Sequence, residues 1–317
     1  MSTANAPVAV IGPGAIGGLL AAHLARSGCR VFLVGRNQRW LARARRQGMT
    51  VSGGRFGRGR RLSTKQIIPV LSASGPKCDT VFFCVKSGDT PAAIRRARHW
   101  VGPHTIIVTL QNGLTHRATL RSAFGKERTI FGVCYLSAER VGPTSIRYHG
   151  GSTIALATNL SNAETVRKVQ ALLRQAGFKI EVDASEDRLL WTKAAFNAAA
   201  NPLGALTGRT NGELANLPPL RELLLRALKE TAAAARAAGH AIAYPPFERS
   251  VLAGLRSTPG QSNSMLQDLR AGRPTEIDAI VKPFLQAARK KHLKTPLLES
   301  LYRFTRRLDL ELRAGTS

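Results

Sequence analysis

Cysteine is scarce in this sequence, four in 317 residues, and Cys29, Cys78, Cys84 and Cys134 have no C-x-x-C spacing. That pattern points to a reducing cytoplasm. The opening "MSTANAPVAV" lacks the basic segment and long apolar core of a signal peptide, which agrees with a cytoplasmic location. No uncharged apolar run reaches the roughly 18–20 residues that would span a bilayer, so no membrane partner is expected. The seven histidines are scattered without H-E-x-x-H or paired ligand spacing, and no metal is expected. Aromatics make up only 6% of the chain, but hydrophobic residues reach 44%, ordinary for a globular protein with much helix.

Acidic residues are also few. Nineteen Asp and Glu face 47 Lys and Arg, a formal charge of +28. Such an excess suits either a polyphosphate partner or an arginine-rich, solvated surface. The densest runs, "RARRQG" at 43–48 and "RFGRGRR" at 55–61, carry no interleaved aromatics and no recognisable nucleic-acid fold. The expectation is a solvated surface and no specific nucleic-acid partner.

What is present is alternation. Residues 8–11 form an apolar strand, 15–27 an amphipathic helix and "RVFLVGR" at 30–36 a second strand, a βαβ unit. "TVFFCVK" at 80–86 and "TIIVTLQNG" at 105–113 are further strands around a helical stretch near 90–99. "TIFGVCYL" at 129–136, "STIALAT" at 152–158 and "KIEVD" at 179–183 complete a first half. This predicts an α/β Rossmann-type parallel sheet, helices on both faces, over residues 1–184. From Ser185 the texture is helical, in "DRLLWTKAAFNAAANPLGALTG", "LRELLLRALKETAAAARAAGH" and "TEIDAIVKPFLQAARKKH", and predicts an all-α domain over 185–317. Only the first six residues and the last four are expected to be poorly structured.

Gly12, Gly14 and Gly17 form G-x-G-x-x-G between the first strand and helix. The first permits a tight turn, the second lets a pyrophosphate approach the backbone, and the third lets helix pack on strand. The stretch Gly12, Pro13, Gly14, Ala15, Ile16 and Gly17 is thus a dinucleotide cradle at a helix N-terminus. The next strand ends without the acid that would bind a ribose hydroxyl. Arg36 stands there instead, suited to a 2′-phosphate and so to NADP, or simply a surface arginine. Lys86 and Asn112 close two parallel strands, where ligands bind, although a solvated lysine and an Asn-Gly turn fit as well.

Lys193, Asn197 and Asn201 fall at i, i+4 and i+8 in an apolar, alanine-rich stretch, along one helix face. Without polar partners they would be costly to bury; a solvated stripe is the other reading. In "SNSMLQDLRAGRPTEID" at 262–278, Ser264 with Gln267 and Thr275 with Asp278 fit capping boxes, and Glu276 suits a helix N-terminus.

The glycine motif, "CVKS", "QNG", "WTKAAFNAAANPLGALTG", "NGEL" and "SMLQDLRAGRPTEID", in that order, resemble the ketopantoate reductase (2-dehydropantoate 2-reductase) family along nearly the whole chain. The resemblance implies NADPH-dependent reduction of an α-keto acid, with the active site between a Rossmann domain and a helical domain. It makes Lys193 the proton donor, Asn197, Asn201, Asn211 and Ser264 substrate contacts, and Asn112 a neighbour of both ligands. Lys86 and Ala138 match cofactor contacts, and Glu276 the acid at the nicotinamide end. Two departures stand out: "QNG" where some members have His-Asn-Gly, and Pro283 inside the helix expected after Glu276, where it should remove a hydrogen bond and bend the helix.

The reading is reduction of 2-dehydropantoate to pantoate with NADPH, in pantothenate and coenzyme A biosynthesis. A reductase or dehydrogenase for another 2-keto or 2-hydroxy acid is the alternative within enzymes, and an NADP-sensing or nucleic-acid-binding protein the alternative outside them. A homodimer is left open.

Overall fold

Short runs of valine, isoleucine and phenylalanine are buried on both faces when they lie side by side under helices. The computed structural model describes residues 7–71, 75–159 and 161–314. Its strands are β1 (Pro7–Ile11), β2 (Arg30–Val34), β3 (Met49–Ser52), β4 (Arg60–Leu62), β5 (Ile67–Val70), β6 (Thr80–Phe83), β7 (Ile106–Thr109), β8 (Thr129–Gly142), β9 (Ser145–Ala157) and β10 (Lys179–Asp183). The accompanying helices are α1 (Ala15–Arg26), α2 (Gln38–Gln47), α3 (Thr90–Ala97), α4 (Arg117–Phe124) and α5 (Ala163–Gln175).

Six neighbouring strands, β5-β2-β1-β6-β7-β8, run parallel. Chain order reverses direction across the sheet at β1, so the ends of β1 and β6 mark the switch point where such sheets bind ligands. Beyond β8 the parallel sheet continues into a mixed one. β9 is antiparallel to β8, because only the two residues Pro143 and Thr144 separate the strands. β3 and β10 then add to β9 in parallel, and β4 pairs antiparallel with β3. Val8, Val10, Leu33, Phe82 and Val108 are sealed in the core.

Two strands stop sooner than their apolar runs. Pairing ends at Phe83 and Thr109, so Lys86 and Asn112 each stand three residues past a ladder, in turns. The expected unstructured ends lie outside the described residues except Ala314, which ends the last helix.

The chain forms two compact units, Met1–Gln111 with His116–Glu186, and Asn112–Thr115 with Asp187–Ser317. The second carries α6 (Glu186–Thr207), α7 (Asn211–Asn216), α8 (Pro218–Ala237), α9 (Pro246–Arg256), α10 (Ser264–Arg270), α11 (Ile277–Ile280), α12 (Lys282–Lys290) and α13 (Pro296–Ala314). Their ends follow capping chemistry. Thr210 and Glu213 make a reciprocal capping box at α7, and the Glu230 carboxylate accepts from Leu297 N at 3.1 Å and Leu298 N at 2.7 Å at the start of α13.

Three expected helix features are corrected. Asn263, not Ser264, caps α10, its side-chain oxygen accepting from Leu266 N at 3.0 Å; Gln267 turns instead to the Ser262 carbonyl. Thr275 and Asp278 make no box, since Glu276 is the cap residue of α11 and Asp278 accepts from the Tyr302 hydroxyl at 2.6 Å. Pro283 does more than bend a helix: α11 stops at Ile280, and Pro283 sits in the first turn of a separate α12, where its missing N–H costs nothing.

Two histidines are buried in the first unit. Burial, aided by Arg55 and Arg26 against the Ala176 carbonyl bond, lowers His23 to about 4. Burial and then Arg117 lower His116 to about 4. The unfolded chain therefore takes up these protons first as the pH falls below the ordinary histidine value of about 6.5, and stability is lost from there down to about 4. Tm should fall between about pH 6.5 and 5, above the usual carboxylate range, and His23→Gln should flatten that fall. A profile unchanged by the substitution would refute the attribution.

Candidate active site

In the first unit, the glycine loop divides its labour. Gly12 has φ +108°, and a Cβ there would meet Val85 Cγ1 at 2.8 Å; one on Gly17 would meet the Gly12 carbonyl oxygen at 2.0 Å. One glycine makes the turn and the other lets α1 close on it. A Cβ on Gly14, by contrast, would meet nothing within 4 Å. Gly14 is the cap residue of α1 and supplies no side chain of its own to bond the helix N-terminus. That leaves backbone N–H groups beside open space, which fits a pyrophosphate.

The turn after β6 closes over the same end of the sheet. Gln111 Nε2 donates to the Val85 carbonyl at 3.0 Å and to the Thr90 hydroxyl at 2.8 Å, while its Oε1 accepts from Thr109. Asp89 N donates to the Lys86 carbonyl at 2.9 Å, and Ser87 pairs with the buried His116 at 3.3 Å. The glutamine that departs from His-Asn-Gly thus pins both ends of the segment carrying Lys86. Arg36 reaches that segment from the end of β2, its Nη1 2.5 Å from Asp89 Oδ1. Ala138 lies on β8 opposite Tyr148, beside a register shift, and is partly buried.

In the second unit, α6 runs unbroken through Lys193, Asn197 and Asn201. Both amides are buried, at 5% and 4% exposure. Asn197 Nδ2 donates to Asn112 Oδ1 at 3.2 Å, and the next two residues of that segment lie on α11: Leu114 N donates to the Ala279 carbonyl at 3.2 Å. Gly113, at φ +80°, allows this, since a Cβ would meet that carbonyl oxygen at 2.5 Å. Asn112 is thus held between α6 and the short helix that Glu276 opens. Lys193 is partly buried, its Nζ 4.6 Å from the centre of the Phe196 ring in a cation–π contact. Pro202 lies inside α6 and Gly204 shortly after it. A Cβ on Gly204 would meet Asn263 Nδ2 at 2.2 Å, so its absence lets that amide donate to the Ala200 and Asn201 carbonyls at 3.4 and 3.3 Å. Asn263 then links the middle of α6 to the start of α10, where Ser264 is exposed. Asn211 Nδ2 donates to the Thr258 hydroxyl at 2.9 Å.

The family described as "Ketopantoate reductase PanE/ApbA" matches residues 8–160, and "Ketopantoate reductase PanE/ApbA C terminal" matches 187–309. The chain belongs to the ketopantoate reductase family. Its members are pyridine-nucleotide-dependent oxidoreductases. A relative from Halobacterium salinarum named 2-dehydropantoate 2-reductase is 30% identical over 300 residues, covering 93% of this chain and 96% of the relative. A solved ketopantoate reductase family structure from Ralstonia eutropha superposes with TM-score 0.84 at 25% identity, covering 97% and 99%. D-mandelate dehydrogenase, solved with NADH and anilino(oxo)acetate, shares the fold at TM-score 0.88 and 19% identity, covering 96% and 99%.

For this ketopantoate reductase family member, the expected residues fall into groups joined by direct contacts. Gly12 and Gly17 meet the strand-end residues Cys84 and Val85, and Arg36 meets the turn that Lys86 opens. Asn112 meets Asn197, and Asn201 is tied to the residue preceding Ser264. Asp89 and Asn263 are the residues that sequence reasoning passed over, and Gln111 was marked only as a departure, with no role. Asn263 carried a signal, being an Asn directly before an apolar helical run; Asp89 carried none.

Among the described residues, no helix is long and apolar enough to cross a membrane.

Proposed function

We propose that this chain is a cytoplasmic enzyme reducing 2-dehydropantoate to pantoate with NADPH, in pantothenate and coenzyme A biosynthesis. The observation that supports it most is the polar face of α6. Lys193, Asn197 and Asn201 follow one another at one-turn spacing, and Asn197 is joined to Asn112 at 3.2 Å. A buried amide pair beside a lysine suits a small anion with several oxygens.

Gly12–Gly17 would hold the pyrophosphate, Arg36 the 2′-phosphate, and Lys86, Ala138 and Asn112 the remainder of the cofactor, with Glu276 at the nicotinamide end. When bound, reduced nicotinamide supplies a hydride to the keto carbon. Lys193 donates a proton to the keto oxygen as that oxygen gains negative charge, so its ammonium first steadies and then neutralises the alkoxide. Asn112, Asn197, Asn201, Asn211 and Ser264 orient the substrate's carboxylate and hydroxyl groups, which fixes the carbonyl for attack.

Reduction of a panel of 2-keto acids, including 2-dehydropantoate and aryl keto acids, with NADPH and with NADH tests this reading. The aryl acids belong in it because D-mandelate dehydrogenase shares the fold. The highest kcat/KM is expected for 2-dehydropantoate with NADPH, and Arg36→Ala should weaken NADPH by about ten- to a hundredfold while sparing NADH. Preference for another keto acid would overturn the substrate assignment.

A further inference from the structure

Asp89 is in an unexpected place. The first 78 residues contain no Asp or Glu and 13 Lys or Arg, so the surroundings of Arg36 in sequence are uniformly basic. Yet its guanidinium is joined to a carboxylate brought in from the turn after β6, Nη1 to Oδ1 at 2.5 Å. Neither side chain is buried: Arg36 is 64% and Asp89 38% exposed. An exposed pair of this kind contributes little to stability. Its consequence is for what else Arg36 can bind.

A 2′-phosphate delivered to Arg36 meets two obstacles that a 2′-hydroxyl does not. One guanidinium N–H is already taken by Asp89, and the carboxylate repels the incoming dianion across a few ångströms. We propose that Asp89 is a cofactor-specificity residue that competes with the 2′-phosphate for Arg36, holding down preference for NADPH and keeping NADH within reach. The acid that is missing from the end of β2 is thus supplied from the turn after β6, opposite the arginine. This inference rests on the reading that Arg36 receives the 2′-phosphate.

Kd values for NADPH and NADH on the full-length protein, measured by nicotinamide fluorescence for wild type, Asp89→Asn, Arg36→Ala and the double variant, test it without turnover. Asp89→Asn should raise the ratio Kd(NADH)/Kd(NADPH) about five- to tenfold, and most of that gain should vanish in the Arg36→Ala background. A ratio that stays the same or falls in Asp89→Asn overturns the proposal; a fall would make Asp89 a residue that aligns the guanidinium for phosphate. The two readings fail separately. If Arg36→Ala lowers NADPH affinity but Asp89→Asn changes nothing, the competition alone is wrong. If Arg36→Ala leaves NADPH binding unchanged, the cofactor reading falls and takes the competition with it.

Discussion

Lys193→Ala is expected to lower kcat by about 10²-fold or more, the scale of general acid catalysis, while NADPH affinity stays near wild type. As the proposed proton donor, the amine matters most when charge develops on the keto oxygen, so its loss should fall on the transition state rather than on the cofactor. A solvated surface lysine would give the opposite forecast, almost no change in either quantity. Lys193 lies partly buried on an apolar helix, with its ammonium against Phe196. Lys193→Arg separates two roles, because arginine keeps the charge and surrenders no proton at neutral pH. It should restore substrate binding without restoring kcat. Unchanged Tm and NADPH affinity serve as controls for folding, and a folded Lys193→Ala protein with wild-type turnover of 2-dehydropantoate would end the claim.

The second large effect separates two glycines of one motif. Gly17→Ala places a Cβ 2.0 Å from the Gly12 carbonyl oxygen and 3.0 Å from Cys84 Cβ, so α1 must move off the strand. Overpacking of this kind costs about 1–3 kcal/mol, equivalent to a fall in Tm of roughly 2–5 °C for a chain of this size. Gly14→Ala meets no atom of the protein within 4 Å and should leave Tm unchanged. It should nonetheless weaken NADPH by at least about tenfold, since the methyl would occupy the space proposed for the pyrophosphate. Equal cofactor affinity in wild type and Gly14→Ala, measured by fluorescence titration, would show that the space has another purpose.

These contrasts also explain what the sequence made legible. The βαβ start was readable because apolar runs and a glycine motif are local signals, and β1, α1 and β2 occupy nearly the spans expected. β3, β4 and β5 were not, since each has only three or four residues. They lie in an arginine-rich stretch whose buried residues, such as Met49, Val51 and Leu62, are too few to set a period. The antiparallel ribbon of β8 and β9 was seen only where it is apolar; its polar part still pairs, but with register shifts at Tyr135/Ser137, Ser137/Ala138 and Arg140/Gly142 that break any alternation. On α6 the spacing of Lys193, Asn197 and Asn201 was visible, but the partners of Asn197 and Asn201 come from segments far away in the chain. The Arg36 to Asp89 pair joins turns after two different strands, and only strand order brings such turns together.

Asn112–Thr115 belongs with the helical unit, although the residues on either side belong to the other. A single cut at residue 186 therefore does not divide this protein into two self-sufficient genes. A fragment starting at Asp187 would leave the Ala279 carbonyl without Leu114 and the Asn197 amide without Asn112. A chimera joined there would inherit a tetrapeptide selected for someone else's helices. During synthesis the tetrapeptide leaves the ribosome long before residue 279, so one of its neighbours exists only once most of the chain has been made. Inheritance of the two halves is thus coupled by four residues, and recombination between relatives must carry that loop with the helices it touches.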